Sequence, residues 1–189
     1  GNTLRWRENP GDPKKPWPEH VIAEVGHVET TRAWDLDGDG VPEIVPNLPD
    51  APDVKVYKLV SSPDGKGTGK FECHTVFTFP EGQKQGHGLG CGDLAGNGRM
   101  DIALHRGWLE APVDPWRGPW KWRPEFNFEW KASSIPMLVA DVNGDGVNEL
   151  IVGAAHGYGL SWFEQRRDDG AERRWMPHPI DPLNAQYHD

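Results

Sequence analysis

Apolar residues in this chain come in short runs that alternate with polar ones, and each run ends in a cluster of Gly, Pro, Asp or Asn. Examples are Ile44-Val45, Val56-Tyr57, Phe71-Glu72-Cys73-His74-Thr75-Val76, Ile102-Ala103-Leu104, Leu150-Ile151-Val152 and Ser161-Trp162-Phe163-Glu164. Runs of this length with a period near two predict half-buried strands. The chain holds 23 Gly and 18 Pro, a density of turn formers that leaves little room for long helices. The expected fold class is all-β.

The strands are organised by a repeat. Asp35-Leu36-Asp37-Gly38-Asp39-Gly40-Val41-Pro42-Glu43 precedes Ile44-Val45, and Asp93-Leu94-Ala95-Gly96-Asn97-Gly98-Arg99-Met100-Asp101 precedes Ile102-Ala103-Leu104. Asp141-Val142-Asn143-Gly144-Asp145-Gly146-Val147-Asn148-Glu149 precedes Leu150-Ile151-Val152. The three starts lie 58 and 48 residues apart, a period that suits propeller blades of about 40–50 residues with loop insertions. An aromatic segment follows each loop, and then a strand, which carries a His in two repeats (His74, His178) and Trp122 in the other.

The N-terminus already shows the late features of a blade, in Arg5-Trp6-Arg7 and Glu19-His20-Val21. The last residues, Gln186-Tyr187-His188-Asp189, resemble the approach to another acidic loop. The expectation is therefore a β-propeller of four-stranded blades, with about three to four present. Residues 1–27 would end one blade, 28–80, 81–133 and 134–182 would form three more, and 183–189 would start the next. The parent is expected to be seven-bladed and completed by its remaining blades or by a second chain. The alternative is an open, self-sufficient three-blade solenoid.

Composition narrows the partners. A net charge of −9 argues against nucleic acid, which needs a basic surface, and no run is long enough for an apolar membrane span. Ten Trp argue for a packed structure. Cys73 and Cys91 could pair, but they are too few for a disulfide framework and read as buried free thiols.

The acidic loops carry the clearest chemistry. In the first, Asp35, Asp37, Asp39 and Glu43 alternate, with the Val41 carbonyl between them and glycines that permit the tight turn. Calcium takes six to eight hard oxygens in flexible geometry, which this pattern supplies. An EF-hand is excluded, because no Glu stands at position 12 and β-type Ile-Val follows. The third loop offers Asp141, Asn143, Asp145, Val147 and Glu149 and is also expected to bind. The second, with Asp93, Asn97 and Asp101 but Ala95 at the third position, is expected to bind weakly or not at all.

These loops, with Ile-Val after them, resemble FG-GAP/VCBS repeats over nearly the whole chain. That resemblance implies a calcium-binding β-propeller of an extracellular or periplasmic protein. His87-Gly88-Leu89-Gly90-Cys91-Gly92-Asp93, Gly107-Trp108-Leu109-Glu110-Ala111-Pro112 and Ala155-His156-Gly157-Tyr158-Gly159 are similar to the propeller of aldos-2-ulose dehydratase-like proteins. The likeness implies elimination of water from keto-sugars at a metal-containing site.

Repeat register supplies candidate site residues independently. Glu29 and His87 stand six residues before their loops, and His188 would stand there in a following repeat. Asp50, Trp108 and His156 stand fifteen residues after the loop start. Equivalent positions of successive blades form rings around a propeller axis. His87 and His156 are therefore the candidate base or ligands, with Glu29 and His188 behind them. Trp108, Tyr158 and Asp50 would contact a sugar. Imidazole also suits an additional divalent transition metal. His20, His74 and His178 recur at one blade position and read as architecture, while His105 has no assigned role. Two functions follow: a sugar dehydratase or lyase at a His-rich funnel, or a non-catalytic module that binds a glycan or protein.

Overall fold

Strands form wherever the alternating runs stand between turns, and among the described residues there is no helix. The computed structural model describes residues 1–128, 130–166 and 173–185, so the expected site residue His188 lies outside the described residues. The chain opens with a two-stranded sheet, β1 (Thr3–Arg7) and β2 (Glu19–Glu24). Three four-stranded antiparallel sheets follow, each joining consecutive strands. The first blade is β3 (Thr30–Trp34), β4 (Glu43–Asn47), β5 (Asp53–Ser61) and β6 (Gly67–Thr78). The second is β7 (Leu89–Gly92), β8 (Asp101–Leu104), β9 (Gly107–Glu110) and β10 (Lys121–Arg123). The third is β11 (Leu138–Ala140), β12 (Glu149–Gly153), β13 (Tyr158–Arg166) and β14 (Arg174–Ala185), so its last strand crosses the expected boundary at 182. The fold is all-β, made of the four-stranded blades of a β-propeller.

Each acidic loop is the turn between the first and second strands of a blade. Its glycines take positive φ in all three copies: 76° and 85° at Gly38 and Gly40, 71° and 79° at Gly96 and Gly98, 80° and 86° at Gly144 and Gly146. Side chains avoid that region, so the paired glycines fix the turn.

Two cores lie between neighbouring blades. Val45, Val54, Val56, Leu89, Ile102, Leu104 and Leu109 pack together between the first and second. Leu94, Ala103, Trp108, Met137, Leu150, Val152 and Phe163 pack between the second and third. Each such aliphatic side chain contributes about 1.5–3 kcal/mol when fully buried. The second and third blades meet closely at their first strands, where the Met137 N–H donates to the Leu89 carbonyl at 2.7 Å. A Cβ on Gly90 would lie 2.3 Å from the Met137 oxygen.

Amide side chains lace the same seam near the loops. Asn148 donates to the Asp93 carbonyl at 2.8 Å, and Gln165 donates to the carbonyls of Asn148 and Leu94 at 2.9 and 3.2 Å. Two of the recurring histidines stack on the Trp opposite them in the sheet, while the third meets a Trp of the next blade at a tilt. His20 stacks on Trp6 with centroids 4.4 Å apart, His178 stacks on Trp162 at 4.2 Å, and His74 meets Trp116 at 4.7 Å.

Candidate functional site

In all three acidic loops the opening Asp folds back on its own turn. Asp35 accepts from the N–H groups of Gly38 and Gly40, Asp93 from Asn97 and Gly98, and Asp141 from Gly144, Asp145 and Gly146. The closing acid, first residue of the second strand, is fully buried as Glu43, Asp101 and Glu149. Its carboxylate accepts the N–H of Leu36, Leu94 or Val142. The backbone plan is shared, so differences between loops come from side chains.

The first loop draws ligand atoms of Asp35, Asp37 and Asp39 within 4.8 Å of one another, the grouping expected for a cation site. A cation of the protein itself stands there. Lys58 Nζ lies 2.5 Å from Asp37 Oδ2, 2.7 Å from Asp39 Oδ2 and 3.1 Å from Glu43 Oε1. Burial works against the Lys58 charge, but its bonds to Asp37, Asp39 and Glu43 prevail and raise its pKa. Trp116 adds an N–H bond to Asp37 Oδ2 at 2.7 Å and places its ring 5.1 Å from the ammonium.

In the second loop Asp101 spends both oxygens on backbone: Leu94 and Ala95 on one, Ala111 on the other. Burial outweighs these bonds and pushes its pKa up to about 6.

The third loop keeps Asp141, Asp145 and Glu149 without an ion pair to a basic side chain among the described residues. Asn143 donates to Asp145 Oδ2 at 3.0 Å and lies 3.5 Å from Glu149 Oε1. Burial, and then the charges of Asp145 and Asp141, raise the Glu149 pKa against the Val142 bond. These hard oxygens beside a buried acid are of the type calcium takes, but among the described residues the ligand atoms of Asp141, Asp145 and Glu149 do not gather within 4.8 Å as those of the first loop do.

At the opposite ends of the second strands, the predicted histidines and carboxylates form a row. His87 donates from Nδ1 to the Ser133 carbonyl at 2.8 Å, and its Nε2 lies 4.0 Å from Glu29 Oε2. The His156 ring stands 5.2 Å from that of His87. The row continues through His27, with one ring nitrogen 2.8 Å from Glu29 and the other 2.8 Å from Asp50. Lys84 reaches Asp50 at 3.3 Å. The structure thus joins Glu29, His87, His156 and Asp50.

Two residues escaped sequence reasoning. His27 was recoverable from its position next to the Glu29 register, whereas Ser133 lies in irregular backbone and left no signal. Ser133 also takes His105, whose Nδ1 lies 2.7 Å from the hydroxyl. Burial, then the Arg106 and His87 charges, depress the His105 pKa. Among the described residues, the ligand atoms of Glu29, His87 and His156 do not gather within 4.8 Å as those of the first loop do.

The two aromatic residues part company. Trp108 is 1% exposed, packs in the core between the second and third blades and donates to Glu125 at 2.9 Å. Its ring therefore faces protein, not a sugar. Tyr158 is 69% exposed and lines a cleft of ≈ 420 Å³ with Phe128, Trp130, Trp175, Ser161 and Glu125. Trp175 also points its N–H at Glu125, at 3.3 Å.

A family model described as FG-GAP repeat matches residues 137–171, the stretch that carries the third acidic loop and most of its blade. That match supports the FG-GAP propeller family. No curated protein and no solved structure matches the chain.

Proposed function

We propose that this chain supplies blades to a calcium-stabilised β-propeller whose parent acts on carbohydrate, eliminating water beside a carbonyl at the His87 end of the blades. The anchoring of His87 carries this reading. With Nδ1–H held by the Ser133 carbonyl at 2.8 Å, the ring is fixed in orientation and turns its buried Nε2 toward Glu29, 4.0 Å away. A ring fixed in this way suits a general base.

In the reaction, His87 Nε2 takes the α-proton of a keto-sugar and Glu29 stabilises the imidazolium that forms. His156, with its ring 5.2 Å from His87, relays that proton from His87 to the departing hydroxyl, which leaves as water and returns both rings to their starting state. Calcium belongs to the third loop, far from these steps. Asp141, Asn143, Asp145, Glu149 and the Val147 carbonyl would hold it, and it would stabilise the folded state by binding that state alone. The reading places the protein outside the cytoplasm, extracellular or periplasmic. Among the described residues no helix is long and apolar enough to cross a membrane.

The test is titration of anhydrofructose into the protein, with imidazole resonances followed by NMR and enone formation by ultraviolet absorbance. Saturable shifts at His87 and His156 that vanish in His87→Ala support the reading, and no response at either ring overturns it. A second reading, a non-catalytic glycan-binding module, is favoured by the aromatic cleft around exposed Tyr158. Shifts confined to Tyr158 and Trp130, with no enone, would establish that one instead.

A further inference from the structure

We infer that the first acidic loop is closed by the Lys58 ammonium in place of a metal ion, so that only the third loop responds to calcium. This deepens the calcium part of the proposed function and rests on it for the third loop alone.

The geometry is that of an occupied cation site. Three carboxylates that a metal would need, Asp37, Asp39 and Glu43, each lie within 3.1 Å of Lys58 Nζ. Ammonium has three protons and these carboxylates supply three acceptors, so its hydrogen bonds are satisfied where a divalent ion would sit. The side chain is 24% exposed and Glu43 is fully buried, which strengthens the attraction over that of a surface pair. A dication entering the loop must first expel this charge.

Register gives an independent argument. Ile44 pairs with Tyr57, Ile102 with Leu109 and Leu150 with Phe163. The next residue along is Lys58 in the first blade, Glu110 in the second and Glu164 in the third. One blade position thus carries a cation beside the loop with four acids and an anion in the other two. Glu164 borders a cleft with Asp145, Gly146 and Val147 of the third loop, and it turns its carboxylate to Arg166 at 2.9 Å and His178 at 2.8 Å, so among the described residues no ammonium reaches the acids of that loop as Lys58 reaches those of the first. Lys58 also recruits Trp116 of the second blade, so the first loop is tied to its neighbour without an ion.

The experiment measures calcium content after dialysis, and thermal midpoints in chelator and in excess calcium. It compares wild type with Lys58→Met, Asp145→Asn and the double variant. One calcium in wild type, none in Asp145→Asn, and an added calcium in Lys58→Met that survives in the double variant is the expected result. Lys58→Met should also melt below wild type in chelator and recover in calcium. If it folds only in calcium, that too supports the inference, and Lys58→Gln then supplies the chelator measurement. Wild type without calcium but Lys58→Met with one would uphold the inference and sink the third-loop reading. Two calcium ions in wild type, with one lost in Asp37→Asn, would overturn the inference. So would a Lys58→Met chain that gains neither an ion nor a calcium-dependent midpoint.

Discussion

The indole N–H of Trp116 donates to Asp37 at 2.7 Å, joining residues 79 positions apart. Trp116 lies in the insertion before β10, and Asp37 lies in the acidic loop of the preceding blade. The contact fastens a segment with no regular structure to the most highly charged turn in the chain. Trp116→Phe keeps an apolar ring but removes this donor and weakens the attraction to Lys58. The expected cost is about 1–2 kcal/mol, measured by urea denaturation. Combined with Lys58→Met, the losses should add to less than their sum, because both variants act on one network.

Gly90 has no room for a side chain. A methyl group there would press on the Met137 oxygen and Cβ at 2.3 and 2.9 Å, and backbone cannot yield as a flexible side chain does. Gly90→Ala should therefore part the second and third blades and cost about 1–3 kcal/mol. Gly96→Ala is the contrast: its Cβ would meet nothing within 4 Å, so its cost comes from a φ of 71° alone. Denaturation of both variants separates crowding from backbone strain.

His27 should titrate above an ordinary imidazole. The bond to Asp50 is the main cause, opposed by partial desolvation and aided by the charge of Glu29. A folded pKa above the unfolded one means that the stabilising contribution is complete below the unfolded value near 6.5 and fades as pH rises through the raised value. NMR titration of the His27 ring in wild type and Asp50→Asn checks this. The variant should lose most of the shift.

The two thiols should differ in reactivity. Both are expected from the sequence to be buried, but Cys73 is exposed on β6, whereas Cys91 packs against the core between the first and second blades, and burial raises its pKa. Brief treatment of native protein with iodoacetamide should modify Cys73 and spare Cys91, with both modified after unfolding. Equal labelling in the native state would contradict this packing.

The strands and acidic loops were legible because their determinants are local: glycine pairs, alternating acids and a β-type run directly after them. Lys58 was not, since nothing near it in sequence marks it as a partner of Asp37. Its signal lay between repeats, as a charge reversal against Glu110 and Glu164. The register argument brought Glu29, His87 and His156 together, since strand ends of successive blades converge. It misread Trp108 because repeat position fixes which end of a blade a residue occupies, but not whether its ring turns inward. The partner of that indole, Glu125, sits in irregular chain that pattern alone does not place.

The amides of Asn148 and Gln165 give the seam between the second and third blades a further property. Asn148 stands immediately before Glu149, so the residue that grips the neighbouring blade shares a peptide bond with the acid that would grip the ion. Withdrawal of the proposed ion would therefore pull directly on the joint. The other joint, with its ammonium and indole, has no such dependence. A chelator should make the array come apart in a set order, the third blade loosening first while the first and second remain together.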